Sequence, residues 1–592
     1  MMKMKKIVAL TLFPTLVLVA LWGVNSCSKI DKNSINTSVN TNIYLAPIKI
    51  TFINADPTSP NQLQDTTDKY RFICSITGPG APSVVATDGS NVISSNLQAS
   101  SFSTSHGILT LALQTSANPS TTNPVVFNIN GTLNGFAPIN ASVAITSKSA
   151  TEVVVKVLEL ARPVAGTAVT PTVNSSLANG IANTAIVINT SSNTNVVPAT
   201  ITIPTGTQVF NGTGAAINAS SLTTNVIQYS TPTATAEGAF PGGLQPKNVV
   251  DKAGVAINGG VNLRPLGALS INMSANGADV KSFSGNGIKL SMPVPSSTIN
   301  PTTGSLVKVG DSIPVWSLNE TTGLLTYEGV APITNNGSGS LVANYNATHL
   351  TAWLYSWYTV PSGSNSTTFK FTANTGVNDG TYYFKVLDAS GSVLQDFTSF
   401  NISNGVGVVV TSVTLPSNFN VLVYANNSNG SSPLATISAT SPTAQNSTVT
   451  LSFNPPSSGE TIKVKMNLAG KCSNNSTTIN VGTWVNFQAF GSSYIQSSYV
   501  TTLNNVNVSD YNNPISLLTG KHYHVGIYYG GNWVGNTIDV SSIAYYKTHT
   551  SPKFDDITGS QGGTNYGLTG TTSYDESTNT LTINATFNTT CN

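Results

Sequence analysis

The sequence predicts a mainly β protein made of several Ig-like or transthyretin-like β-sandwich domains in tandem. Three observations carry that prediction. Charged residues are only 8% of 592, with 25 Lys+Arg against 23 Asp+Glu, where a soluble protein usually holds about 25%. The surface is left to Ser, Thr and Asn, which hydrogen-bond locally and disfavour helix interiors. Apolar residues reach 40%, enough for several cores and too many for a disordered chain. Short β-branched runs recur between Gly, Pro, Asn and Ser, the pattern of sandwiches and barrels. A net charge of +2 offers no basic footprint, so nucleic acid is excluded as a partner.

The chain begins with a targeting segment. Lys3, Lys5 and Lys6 precede an apolar run at 7–22, interrupted only by Thr11, Pro14 and Thr15. That length suits a signal peptide and falls short of a bilayer span. Val24-Asn25-Ser26-Cys27 resembles a bacterial lipobox. The resemblance implies cleavage before Cys27, lipidation of its sulfur and acylation of the new amine. Two or three acyl chains, at about 0.8 kcal/mol per buried methylene, anchor a protein stably. An uncleaved N-terminal anchor with a chance cysteine is the competing reading. Residues 1–27 are thus expected to be a lipoprotein signal, and 28–45, rich in Asn, Ser and Thr, a flexible tether. Ser28-Lys29-Ile30-Asp31-Lys32 is similar to the start of Bacteroidetes-type surface lipoproteins, without their acidic export cluster. The expected place is the cell envelope, as an outer-membrane lipoprotein with the periplasmic and extracellular faces both open.

Strands follow in order. They are expected at 107–114, 125–130, 151–160, 199–204, 408–415, 421–424, 448–453, 461–466, 522–529 and 580–587. Hairpins are expected around Asn319-Glu320-Thr321-Thr322-Gly323 and around Gly530-Gly531-Asn532, where glycine supplies positive φ. Boundary signals divide the chain into an N-terminal β-sandwich (46–165), a middle β-rich domain (166–358), another β-sandwich (359–466) and a Tyr-rich C-terminal β domain (467–592).

The middle region carries a resemblance. Its residues are Ile203-Pro204-Thr205-Gly206-Thr207, Phe240-Pro241-Gly242-Gly243-Leu244, Val309-Gly310-Asp311-Ser312-Ile313-Pro314-Val315-Trp316-Ser317 and Thr348-His349-Leu350-Thr351-Ala352-Trp353. In that order they resemble the extracellular β-rich region of cartilage intermediate layer proteins and of related bacterial surface proteins. The resemblance spans about 200–358 and implies a structural or binding ectodomain without catalytic residues. Trp316 and Trp353 fit buried sandwich anchors.

Motifs for chemistry are scarce. There is no G-x-S-x-G, H-E-x-x-H, P-loop or complete G-x-G-x-x-G. The five histidines are few for acid–base work, and His349 reads as a packed residue. His522 and His524 share a strand face with Tyr528, but nothing in the sequence completes a metal set. Asp555-Asp556 and Asp575-Glu576 point to opposite strand faces, so neither doublet is a glycosidase pair. No catalytic residue, metal or cofactor is therefore assigned.

Cysteine and aromatic usage are more informative. Cys74 alternates with Phe72 and Ile76 and reads as a buried free thiol. Cys472 and Cys591 each follow a strand of an exported chain, and their disulfide would stabilise by up to about 5 kcal/mol on chain entropy. Ten of twenty tyrosines lie after Trp484. Trp484, Tyr528 and Trp533 are candidates for an exposed glycan platform, against the plainer reading of a Tyr-rich core. Asp65-Thr66-Thr67 and Asp311-Ser312-Ile313 match a short O-glycosylation pattern of such exported proteins. The leading expectation is a non-enzymatic envelope lipoprotein with a structural or adhesive role toward a surface protein ligand. Glycan capture by the C-terminal domain is the alternative, and a glycan- or peptide-active hydrolase a distant third.

Overall fold

The computed structural model describes most of 44–589. Residues 1–43, 65–68, 87–100, 501–514, 541–553, 556–567 and 590–592, together with shorter loops such as 361–366, 441–447 and 473–477, lie outside the described residues. The signal, residues 28–43 of the tether, Cys27, Cys591 and the Asp65-Thr66-Thr67 motif fall there, while residues 44 and 45, expected in the tether, already belong to the strand Tyr44–Asn54.

The protein is mainly β, arranged as tandem β modules. In the first module Tyr44–Asn54 pairs antiparallel with Ile108–Gln114 and parallel with Thr151–Val157. A second sheet of Ser101–Ser103, Ile73–Thr77, Val125–Gly131 and Ile139–Ile145 faces it. Alternating residues of both sheets, Ile48, Ile50, Phe52, Phe127, Ile129 and Val155 among them, close the core. Cys74 is fully buried there as a free thiol.

The middle module is one curled 12-stranded sheet running from Ile186–Asn189 to Thr167–Ser176. Its halves face each other because Leu324–Asn335 serves both. Its first part pairs with Ser312–Asn319 and its last residues with Leu341–Ala347. The bend sits at a bulge where the register steps from Val315↔Gly329 to Trp316↔Tyr327, and Gly329 takes φ 141°, a region closed to most side chains. Trp353 and Tyr355 pack in the core between the halves. Trp316 points to the other side, into a cluster shared between modules.

The third module packs Thr367–Ala373, Val406–Thr411 and Thr448–Phe453 over Gly380–Asp388, Val393–Ile402, Asn418–Tyr424 and Ala435–Thr440, with a phenylalanine-rich core. It is not an isolated bead. Thr398 bridges to Val153, so its sheet and the first module's sheet are one eight-stranded surface. The expected boundary at 466/467 falls inside a strand, because Thr461–Cys472 runs on and pairs parallel with Thr580–Thr589. That strand belongs with the C-terminal region, whose second sheet holds Thr483–Ala489, Lys521–Tyr529 and Asn532–Val540.

The modules interlock by ordinary packing as well. Ala55, Ala137 and Leu158 of the first module, Trp316 and Leu354 of the middle one and Val393 of the third form one apolar cluster. The Asn319–Gly323 turn does more than connect strands. The Thr322 carbonyl accepts hydrogen bonds from Thr77 Oγ1 (2.6 Å) and Asn128 Nδ2 (3.1 Å) of the first module. A Cβ on Gly323 would lie 2.7 Å from the Asn128 side chain, so glycine is required by space as well as by its φ of 65°.

Candidate functional site

The strongest concentration of buried polar chemistry is a charged seam on the shared sheet, where the first and third modules meet. On Thr151–Val157, Val153, Val155 and Val157 fill the first core, so alternation turns Glu152, Val154 and Lys156 to the opposite face. Glu152 accepts from Lys49 Nζ at 2.9 Å, Thr51 Oγ1 at 3.1 Å and Tyr383 Oη at 2.8 Å. The Lys49 side chain is 0% exposed. Tyr383 comes from the third module, so this carboxylate ties the two together.

Two pleats further along the strand lies the second group. Lys156 Nζ is 2.7 Å from Asp396 Oδ2, and Lys385 Nζ is 3.2 Å from Asp396 Oδ1. The lysine side chains are 1% and 8% exposed, and Asp396 keeps 23%. Phe397 lies beside both ammonium groups, 5.2 Å from Lys156 Nζ and 4.1 Å from Lys385 Nζ, and Tyr424 meets it edge-on. The aromatic faces offset part of the excess positive charge. Burial pushes the Lys156 ammonium down to about 8, against the pull of Asp396. Burial alone would lower Lys385 too, but Asp396 raises it above its usual value. Burial alone would raise Asp396, and the two lysines hold it well below the usual carboxylate range.

A third polar knot fixes the loop after Tyr44–Asn54. Glu159 accepts from Asn54 Nδ2, Ser59 Oγ and Asn61 Nδ2 at 2.9, 2.6 and 2.6 Å. Burial would raise its carboxyl, but these donors lower it. Such donors supply what water would otherwise give a buried carboxylate.

The sequence-derived sites distribute as follows. Trp484 was expected on an exposed platform, and it is 2% exposed. Its strand is buried on both faces, since Val485, Asn486, Phe487 and Gln488 are buried too, and it joins the core. Tyr528 and Trp533 stand opposite each other in register near the end of their antiparallel ladder, while their side chains and the expected Gly530-Gly531 turn lie outside the described residues. His522 pairs in register with Asp539 and His524 with Thr537. Among the described residues no group of three His, Cys, Asp or Glu gathers to hold a metal. Cys472 stands opposite Thr589 in a parallel pair, two residues short of Cys591. His349 is partly packed, its ring 4.8 Å from that of Trp353 and its Nε2 3.7 Å from Glu328. Ser317 donates to Glu328 at 2.6 Å, so this Ser, Glu and His do not line up as nucleophile, base and orienter.

Sequence reasoning missed Lys49, Glu152, Lys156, Lys385 and Asp396. A usable signal existed: Val153-Val154-Val155-Lys156-Val157 and Tyr382-Tyr383-Phe384-Lys385-Val386 each place one lysine inside an apolar strand. In a chain this poor in charge, that position demands a buried partner.

No family model matches the chain, and no curated protein matches it. The resemblance of 200–358 to cartilage intermediate layer proteins therefore rests on motif order alone. Among solved structures, a C-terminal fragment of the pilus adhesin SpaC from Lactobacillus rhamnosus GG is 10% identical with a TM-score of 0.15, covering 39% of this chain and 98% of that one. The major pilin subunit BcpA of Bacillus cereus is 9% identical with a TM-score of 0.12, covering 69% and 99%. The full-length major pilin RrgB from Streptococcus pneumoniae is 8% identical with a TM-score of 0.12, covering 91% and 100%. Overlaps this shallow carry no argument about what this chain does.

Proposed function

We propose that the chain is a non-enzymatic cell-envelope lipoprotein, anchored through Cys27, whose β modules serve a structural or adhesive role outside the membrane. The observation that supports this best is the joining of modules. A shared sheet, an apolar cluster spanning three modules and a buried ionic seam make a unit suited to bearing load between an anchor and a surface partner. The lipobox-like segment supplies the anchor, and the outer membrane is the proposed site. Fractionation of cells expressing Cys27→Ala tests the reading. Release from membranes, or an uncleaved precursor, is expected. A processed variant that still sediments with membranes would overturn it.

Glycan capture is the second reading, favoured by the cross-strand placement of Tyr528 and Trp533 near the end of their ladder. Without Trp484 the platform shrinks to that pair. A glycan array with the full chain, repeated with Tyr528→Ala and Trp533→Ala, decides it: binding weakened by roughly 1–3 kcal/mol at unchanged melting supports a platform. In the C-terminal region we also propose the Cys472–Cys591 disulfide, supported by the parallel register that ends at Cys472 and Thr589. Non-reducing peptide mapping reads it directly.

A further inference from the structure

We propose that Lys156 and Asp396 join covalently, their side chains condensing to an amide that fastens the first module to the third. The arrangement is that of a reacting pair more than of a settled ion pair. Lys156 Nζ touches Asp396 Oδ2 at 2.7 Å. Yet the contacts of Lys156 Nζ and Asp396 Oδ1 lie at angles poor for hydrogen bonding, and both atoms are closed to solvent. A charge pair retained for stability normally saturates its donors and acceptors. The Glu152 carboxylate, with three donors two pleats away, shows what a saturated one looks like in this protein.

The backbone builds the contact deliberately. The register between Gly380–Asp388 and Val393–Ile402 steps from Phe384↔Thr398 to Val386↔Gln395. Lys385 is therefore opposed by two residues, Asp396 and Phe397. Such a bulge re-aims side chains locally, and here it brings Asp396 to Lys156 with Phe397 as the wall behind. Gly238 of the middle module closes over the pair. A Cβ there would sit 2.3 Å from Lys156 Nζ and 2.6 Å from Asp396 Oδ2, so a side chain at 238 would push the two groups out of place.

The step balances without any co-reactant. The Lys156 ammonium, made more acidic by burial, passes one proton to the carboxylate. The free amine attacks Cγ, and the oxygen that gains negative charge is Oδ1, facing the Lys385 ammonium at 3.2 Å. Collapse expels the protonated oxygen, which takes the second proton from nitrogen and leaves as water. One C–N bond forms, one C–O bond breaks, and nothing is oxidised or reduced. The exposed edge of Asp396 gives the water a way out. Held reactants of this kind need no further entropy to meet, and the product removes two charges from an apolar site.

Mass spectrometry of a digest of the full chain tests the proposal. A branched peptide should appear, joining the segment with Lys156 to the segment with Asp396 and lighter than their sum by one water. Asp396→Asn should give the same branched product, now by loss of ammonia, and Lys156→Arg should give none. Lys385→Met should slow formation after refolding by roughly a hundredfold, the effect of removing one oxyanion donor. Recovery of separate linear peptides with Lys156 and Asp396 both unmodified, from folded wild-type chain, would overturn the proposal. So would a branched peptide that survives in Lys156→Arg.

Discussion

The middle module and the seam between the first and third modules meet the same demand, burial of a β-sheet face, by opposite means. The middle module folds one sheet upon itself and fills the space with Ile, Leu, Val and the Trp353 and Tyr355 rings. The seam buries lysines and carboxylates and ties them with hydrogen bonds and aromatic faces. An apolar core tolerates repacking at roughly constant volume. A buried ion pair gives little net stability, yet losing one partner is severe. The middle module should therefore be robust, while the seam specifies which surfaces meet.

The largest effect belongs to the seam. Glu152→Ala strips Lys49 of a carboxylate at 2.9 Å and Tyr383 of its acceptor, and should cost about 3–5 kcal/mol. The double change Lys49→Met with Glu152→Leu should recover most of that loss, because it removes both charges together. Denaturant titration of the three proteins checks it. A double variant as unstable as Glu152→Ala would show that the seam stabilises by packing and not by charge pairing.

The middle module offers a smaller, internal contrast. Trp316 and Trp353 are 0% and 1% exposed. The Trp316 indole N–H donates to the Ser356 carbonyl at 3.1 Å, whereas the Trp353 Nε1 is buried with no hydrogen-bond partner. Trp316→Phe should lose ring volume and leave a carbonyl without that donor, about 1–3 kcal/mol for the polar part alone. Trp353→Phe loses similar volume but also removes an unsatisfied donor, so its melting point should fall less. Equal shifts would mean that the Trp316 hydrogen bond contributes nothing net.

How much of this was legible follows from the range of each interaction. Strands such as Val125–Gly131, Thr448–Phe453 and Lys521–Tyr529 were readable because β-branched runs and turn residues are local signals. So was the Asn319–Gly323 turn. Its docking onto Asn128 was not, nor was the single bridge Thr398↔Val153 that merges two sheets, because the partners are far apart in sequence. Lys156 and Lys385 carried a signal that went unused, a charge inside an apolar strand. Trp484 failed for a different reason. Counting aromatics does not say which face of a strand is wet, and a strand buried on both faces has no alternation to read.

The subtlest expected effect lies where the C-terminal sheet touches the first module. Gln488 Nε2 donates to the Gln64 carbonyl at 3.4 Å, and nearby His524 has its imidazolium disfavoured by burial and by the facing His106. A histidine lowered in the folded state contributes fully when neutral in both states, above its ordinary value of about 6.5. As pH falls below that value the unfolded chain takes up the proton first. Stability is then lost until the folded pKa is passed, where the penalty levels off. Asp56 and Glu159 are both held below their usual values, so their contributions persist to lower pH and do not mask this window. Melting curves at about pH 7.5 and about pH 5.5 should therefore show a drop for wild type. His524→Gln should reduce the drop, and His106→Gln should reduce it less, since burial is the larger cause. Identical pH dependence in all three proteins would remove this histidine contact from the account of how the C-terminal sheet is held.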